Sequence, residues 1–268
     1  MVRVGLVGCG AIGTQLALAV QRNYGSVARV VALHDVEPEH ARTLAARLRS
    51  SPKIVSLPEL IRRSDLVLEA ASASIAAEVA VRALRAHRDV FIMSVGGLLR
   101  DRTWQRLAAR ARSRVYIPSG ALAGLDGVKA LAVGRIRRVR LTTRKPPRAL
   151  ASAPYVRRAR FTLTRLTRPK LLFEGSPEAA VRAFPQNTNV AAAVALASGA
   201  PSRRIRIRVV ADPAIRRNRH ELDVEGECGR IRCAIESRPS VNPKTSELAI
   251  RSALATLKQL FSPISIGT

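Results

Sequence analysis

At 268 residues, 47% of them hydrophobic, the chain is long enough for two domains and too apolar to be disordered. Its 46 Lys plus Arg against 19 Asp plus Glu give a net charge of +27, yet the basic residues are scattered singly and only 3% of residues are aromatic. With no helix-turn-helix, zinc-finger or RNA-recognition pattern, specific nucleic-acid readout is not expected, and no apolar run approaches the roughly 20 residues of a bilayer span.

The first half alternates strands and helices. Val2–Val7 is a short, nearly all-apolar segment of the kind buried in a parallel sheet, and residues 11–22 follow with helical periodicity. A second apolar, β-branched strand over 27–33 ends in His34-Asp35, and Pro38 opens a helix expected to run to about Arg49. Strands are expected at 66–70 and 89–93 with an Ala-rich helix over 75–86 between them, then a helix over 98–112 and a strand over 114–117 stopped by Pro118. This alternation implies a doubly wound parallel sheet over residues 1–118.

After Pro118 the pattern changes. A glycine-containing loop and helix over 119–133 precede expected strands at 136–143, 170–173, 205–210, 221–225 and 230–236. Several follow one another without helices, so residues 119–243 are expected to form a second, α+β domain. The last helix, about 244–261, is amphipathic and is expected to return to the first domain, so that 244–268 completes it.

Gly8-Cys9-Gly10-Ala11-Ile12-Gly13 carries the clearest mechanism. Coming directly after a strand and opening a helix, Gly8 makes the tight turn, Gly10 lets the backbone approach a pyrophosphate, and Gly13 lets helix and strand pack closely. The helix N-terminus adds free N–H groups and a positive dipole. Asp35, about 20 residues further on at the end of the second strand, suits the adenosine ribose hydroxyls. These features describe a Rossmann dinucleotide-binding domain. Gly8, Gly10, Ala11, Ile12, Gly13 and Asp35 form the expected cofactor-binding set, and a carboxylate at 35 favours NAD while leaving NADP possible.

Acid-base groups are few. His34 lies beside the ribose carboxylate, and His40 and His87 fall on arginine-rich helical faces, where a histidine is usually a surface residue. His220 follows a turn-like stretch, residues 212–219, and is expected to start a strand, which makes it the candidate general acid-base; a hydrogen-bonded histidine at a strand end is the alternative. Three cysteines lack the spacing and partners of a disulfide framework or zinc site, so no metal is expected.

The loop Val7–Gly13, Met93–Gly97, Tyr116–Asp126, Leu141–Pro147, Phe173–Ser176, Phe184–Ala192, Ala211–Pro213 and Asn242–Ser246 together resemble the L-aspartate dehydrogenase family, in order over nearly the whole chain. The resemblance implies NAD(P)-dependent oxidation of L-aspartate to iminoaspartate, which becomes oxaloacetate and ammonia or feeds NAD biosynthesis. It implies that His220 is the catalytic histidine, titrating near neutrality, and that Ala123 and Asn189 contact the cofactor. For the substrate carboxylates, Thr143, Arg144, Lys145 and Asn187 are expected as a group. A cytoplasmic homo-oligomer, a dimer, with neither membrane nor nucleic-acid partner completes the expectation. Two alternatives are another Rossmann dehydrogenase acting on a small anionic substrate and a non-catalytic nucleotide- or nucleic-acid-binding protein.

Overall fold

The computed structural model describes residues 1–185, 189–238, 240, 246–264 and 266–267. The chain divides into two compact units, one of Met1–Pro118 with Ala253–Ser265 and the other essentially Ser119–Ser252.

In the first unit, β1 (Val2–Val7), α1 (Ala11–Asn23), β2 (Ala28–His34), α2 (Pro38–Ala45), β3 (Lys53–Ile54), α3 (Leu57–Arg63), β4 (Leu66–Glu69), α4 (Ala76–Arg85), β5 (Asp89–Ile92), α5 (Thr103–Arg110) and β6 (Val115–Tyr116) follow in turn. The strands pair in parallel in the order β3-β2-β1-β4-β5-β6, the doubly wound arrangement expected. The order reverses beside β1, so the loop after β1 stands where such sheets bind ligands. Val4, Leu6, Leu66, Leu68 and Phe91 meet Leu16, Val20 and Leu44 in its core.

Three local differences have local causes. The helix from Pro38 stops at Ala45, where the following N–H groups turn to i−3 carbonyls, Arg47 to Leu44 and Leu48 to Ala45, before the Arg49 N–H donates to Gln21 Oε1 at 2.6 Å. The single helix expected over 98–112 is instead a 3₁₀ turn over Val95–Leu99 and α5, whose Thr103 N–H is caught by Asp101 Oδ1 at 2.8 Å. The segment between α2 and β4 holds β3 and α3, both outside the expected elements.

The second unit comprises α6 (Leu125–Val133), β7 (Ile136–Lys145), α7 (Pro147–Leu150), α8 (Pro154–Arg158), β8 (Lys170–Gly175), α9 (Pro177–Ala183), α10 (Asn189–Ser198), β9 (Ile205–Ala211), β10 (Asn218–Gly226) and β11 (Arg230–Ser237), and α11 (Glu247–Phe261) follows. Its mixed sheet runs β11-β10-β7-β9-β8, with only β7 and β9 parallel. The period of two sends Val139, Leu141, Ile205, Ile207, Leu222 and Val224 to one face, where Val128, Leu131, Val190 and Val194 of α6 and α10 cover them. The reverse face is charged, and its arginines pair across strands, as Arg138 with Glu225 and Arg208 with Glu174.

Candidate active site

The glycine loop has the geometry its motif demands. Gly8 sits at φ +92, and a Cβ there would lie 2.6 Å from the Ala70 carbonyl carbon and the Ala71 nitrogen. At Gly13 a Cβ would fall 1.9 Å from the Gly8 carbonyl oxygen, so the close approach of α1 to the loop needs glycine. Gly10 is different: a Cβ would meet nothing within 4 Å. Among the described residues no atom explains the missing side chain there, and the space is open to a ligand. Helix α1 begins at Ala11 with no side-chain cap and no acidic residue in its first turn, which leaves its dipole available to a phosphate.

Asp35 stands directly beside this loop. Its Oδ2 accepts from the Cys9 N–H at 2.6 Å and its Oδ1 from the Glu37 N–H at 2.9 Å. The carboxylate therefore holds the glycine loop. Burial, with the Asp35 charge adding to it, pushes the Cys9 thiol up to about 12, so this cysteine is unreactive.

Sequence reasoning overlooked Glu69. It ends β4 fully buried, and its carboxylate accepts from the Ala71 and Ser94 N–H groups, both at 2.9 Å, tying the loops after β4 and β5 together. Burial raises its pKa while these bonds oppose the rise. The available signal was a carboxylate closing an otherwise wholly apolar strand.

In the second unit, His220 is the third residue of β10, not its first, and is only 3% exposed. It stands directly opposite Thr143 of β7 in the antiparallel register, and its Nδ1 lies 3.1 Å from Thr143 Oγ1. Lys145, 5% exposed, falls two residues beyond Thr143 on the same face. Thr143, Lys145 and His220 are thus brought together. Arg144 is not: it points to the reverse face, 3.5 Å from Glu221 and 3.8 Å from Asp212.

Burial, with the Lys145 charge adding to it, pushes the His220 imidazole down to about 3, and burial brings the Lys145 ammonium down to about 8. The expectation of titration near neutrality is therefore corrected: at pH 7 this imidazole is neutral and can only accept a proton. In the tautomer whose Nδ1–H donates to Thr143 Oγ1, Nε2 carries the free lone pair. The hydroxyl accepts that bond equally well after Nε2 gains a proton, so Thr143 orients the ring in both states.

The lowered pKa links folding to pH. Between the ordinary histidine value and about 3, the unfolded chain binds a proton that folded His220 does not, so stability falls as pH drops through that range. The slope from this group approaches 1.4 kcal/mol per pH unit at most. Urea unfolding from pH 7 to pH 4 should therefore show the parent protein losing stability faster than His220→Gln. Parallel curves would mean that His220 titrates normally.

Ala123 is exposed in the loop before α6, and Asn189 is exposed as the first residue of α10. These two segments adjoin: a Cβ on Gly120 of that loop would lie 3.8 Å from Val190. Asn187 lies outside the described residues. Among the described residues, no cluster of three or more His, Cys, Asp or Glu could hold a metal ion.

Comparison with known proteins adds to this geometry. Residues 126–260 match the family profile described as aspartate dehydrogenase, C-terminal, and residues 8–117 match that of the homoserine dehydrogenase NAD binding domain. The chain is 43% identical over 274 residues to an L-aspartate dehydrogenase of Methanosarcina barkeri, with all of both chains covered. It is 37% identical to L-aspartate dehydrogenase 3 of Bordetella bronchiseptica, covering 99% of this chain and 97% of the other. Among solved structures, aspartate dehydrogenase from Thermotoga maritima superposes over the full length of both chains with a TM-score of 0.73 at 24% identity. That likeness speaks to the fold.

Proposed function

Since the chain belongs to the L-aspartate dehydrogenase family, we propose that it oxidises L-aspartate with a nicotinamide dinucleotide, and that NAD is the form it prefers. The observation that carries the reaction is the buried, neutral imidazole of His220 held by Thr143. Full-length identity to L-aspartate dehydrogenases favours aspartate over other small anionic substrates and over a non-catalytic role.

The residues fit a dinucleotide. The open space at Gly10, the uncapped start of α1 and the Asp35 carboxylate offer a pyrophosphate and a ribose the contacts they need, with Ala11, Ile12 and Gly13 forming the first helical turn. When bound, the cofactor supplies a hydride acceptor for the substrate Cα. The protein manages the protons. The α-ammonium of aspartate must lose one before its nitrogen lone pair can assist departure of the hydride, and Nε2 of His220 accepts it. Once water has added to the iminium carbon, the same imidazolium can return its proton to the carbinolamine nitrogen, so that the C–N bond breaks with ammonia as the leaving group. Lys145 and Thr143 are proposed on the substrate side of this unit, Ala123 and Asn189 on the cofactor side; Asn187 stays a candidate from sequence. Arg144, paired on the reverse face, has the weakest case.

The direct test is absorbance at 340 nm with NAD and a panel of amino acids. An increase with L-aspartate alone is expected, and no increase with aspartate would overturn the reading. The NAD preference has its own test. Asp35→Ala removes an anionic hydrogen-bond acceptor worth about 1.5–3 kcal/mol, so NAD affinity should fall roughly ten- to a hundredfold. NADP, whose 2′-phosphate the carboxylate repels, should lose much less. Both cofactors lose something through the freed Cys9 N–H; equal losses would deny Asp35 a role in choosing between them.

A further inference from the structure

At the carboxyl ends of β1, β4 and β5 a side chain takes over where the sheet's backbone ladder stops. The last backbone bonds there run from the Ala70 N–H to the Val7 carbonyl at 2.8 Å and from the Met93 N–H to the Glu69 carbonyl at 2.9 Å. The next N–H on each chain, that of Ala71 after β4 and that of Ser94 after β5, lies past the paired strands. Both are received by the Glu69 carboxylate, Ala71 on Oε1 and Ser94 on Oε2, each at 2.9 Å. The Ser72 N–H and the Ser94 hydroxyl donate to it as well. A side chain in this place must accept at both ends. A glutamine of the same shape accepts at one end and donates at the other, so a carboxylate is needed to hold both loops at once.

The two loops are also fitted closely to their neighbours. A Cβ on Gly97, in the turn after β5, would fall 2.3 Å from the Ala73 carbonyl oxygen, and one on Gly8 would fall 2.6 Å from the Ala70 carbonyl carbon and the Ala71 nitrogen. The loop after β4 is thus wedged between the glycine loop and the turn after β5, with Ala71, Ser72 and Ser74 exposed. A sheet of order β3-β2-β1-β4-β5-β6 consists of two mononucleotide-binding halves, and a dinucleotide lies across the carboxyl ends of the strands where the halves meet. Asp35, after β2, claims the half built by β1–β3 for the adenosine ribose. The nicotinamide mononucleotide then falls to the half built by β4–β6, whose first two loops are the ones Glu69 joins.

We propose that Glu69 is a positioning residue for the cofactor: from beneath the surface it fixes the loops after β4 and β5 in the arrangement that receives the nicotinamide half of the dinucleotide. Its side chain is 0% exposed, so it acts through those loops and not by touching the cofactor. The inference rests on the nicotinamide-dinucleotide reading above and adds to it a determinant of cofactor affinity that lies outside the glycine motif.

ADP, which carries the adenosine and pyrophosphate without the nicotinamide, isolates the effect. Glu69→Gln turns an amide NH₂ toward one of the two N–H groups, and losing a hydrogen bond to a charged acceptor changes an equilibrium roughly ten- to a hundredfold. NAD affinity should fall by that factor while ADP affinity stays within a few-fold of the parent, both measured by titration well below the melting temperature of the variant. Glu69→Asp, which keeps two acceptors on a shorter stem, should lie between the two. Equal losses for NAD and ADP, or a lowered melting temperature with both affinities kept, would make Glu69 a brace for the fold alone and overturn the proposal.

Amide hydrogen exchange in the parent protein decides the matter even if neither variant folds. Saturating NAD should slow exchange of the Ala71 and Ser94 N–H groups roughly tenfold or more, whereas ADP should leave them unchanged. Equal slowing by ADP, or none by NAD, would overturn the placement of these loops. Any of these contrary results in a parent that binds NAD leaves the dinucleotide reading standing; a parent that binds neither NAD nor ADP would overturn both.

Discussion

His220→Ala is expected to lower kcat for aspartate oxidation by roughly 10²–10⁴-fold, the usual contribution of a positioned general base, while NAD affinity stays within a few-fold of the parent. The geometry sharpens the expectation. The ring is buried, oriented by the 3.1 Å contact with Thr143 and neutral at working pH, and no other histidine belongs to the second unit. His34 is engaged with the Val55 carbonyl at 2.9 Å, and His40 lies on α2 beside Asp35. A histidine serving only the fold would give a different pattern: loss of thermal stability, with substrate and cofactor binding disturbed together and kcat largely preserved in whatever remained folded. Steady-state kinetics and a cofactor titration on one folded variant separate the two. Activity within a few-fold of the parent would remove His220 from the mechanism.

The second large effect is expected from a pair of substitutions in the glycine loop. Gly13→Ala forces a methyl into the Gly8 carbonyl oxygen, 1.9 Å from the ideal Cβ position, so α1 or the loop must shift. The cost should lie near the upper end of that for overpacking, about 3 kcal/mol, and should be visible as a lowered melting temperature without any ligand. Gly10→Ala meets nothing within 4 Å, and its φ of −68 suits alanine, so the unliganded protein should be as stable as the parent or slightly more so. NAD affinity should nevertheless fall at least tenfold, because the methyl occupies the space the pyrophosphate must approach. Thermal melts and fluorescence titrations with NAD read both quantities. If Gly10→Ala binds NAD like the parent, the loop is a turn and not a phosphate cradle.

The Rossmann half was legible because its signals are local. An apolar run, three glycines at fixed spacing and a carboxylate after the next strand are all set by steric rules that act within about 30 residues. What escaped were elements whose signals are short or masked by proline, such as α3 with Pro58 in its first turn, and β3, which is two residues long. In the second unit the strands could be read but their cross-strand partners could not. The period of two already separates Thr143 and Lys145 from Arg144, yet only the β7–β10 register shows which face His220 shares. The depressed titration of His220 was illegible for the same reason. It arises from burial and from a lysine 75 positions away in sequence, and neither is a property of the residues adjoining it. Glu69 was passed over because a lone carboxylate at a strand end gives no sequence clue that two backbone N–H groups converge on it.

The last helix sets a timetable for synthesis. Ala253 and Leu257 of α11 are fully buried in the cluster that also holds Leu16, Val20 and Leu44, and Phe261 lies with its ring 5.0 Å from that of Tyr24. A ribosome therefore finishes Met1–Pro118 well before it makes the residues that close the same core, and at 5–20 residues per second the gap is on the order of ten seconds. For that interval the nascent sheet carries an uncovered apolar patch, so the nucleotide-binding half is the last to mature although it is the first to emerge.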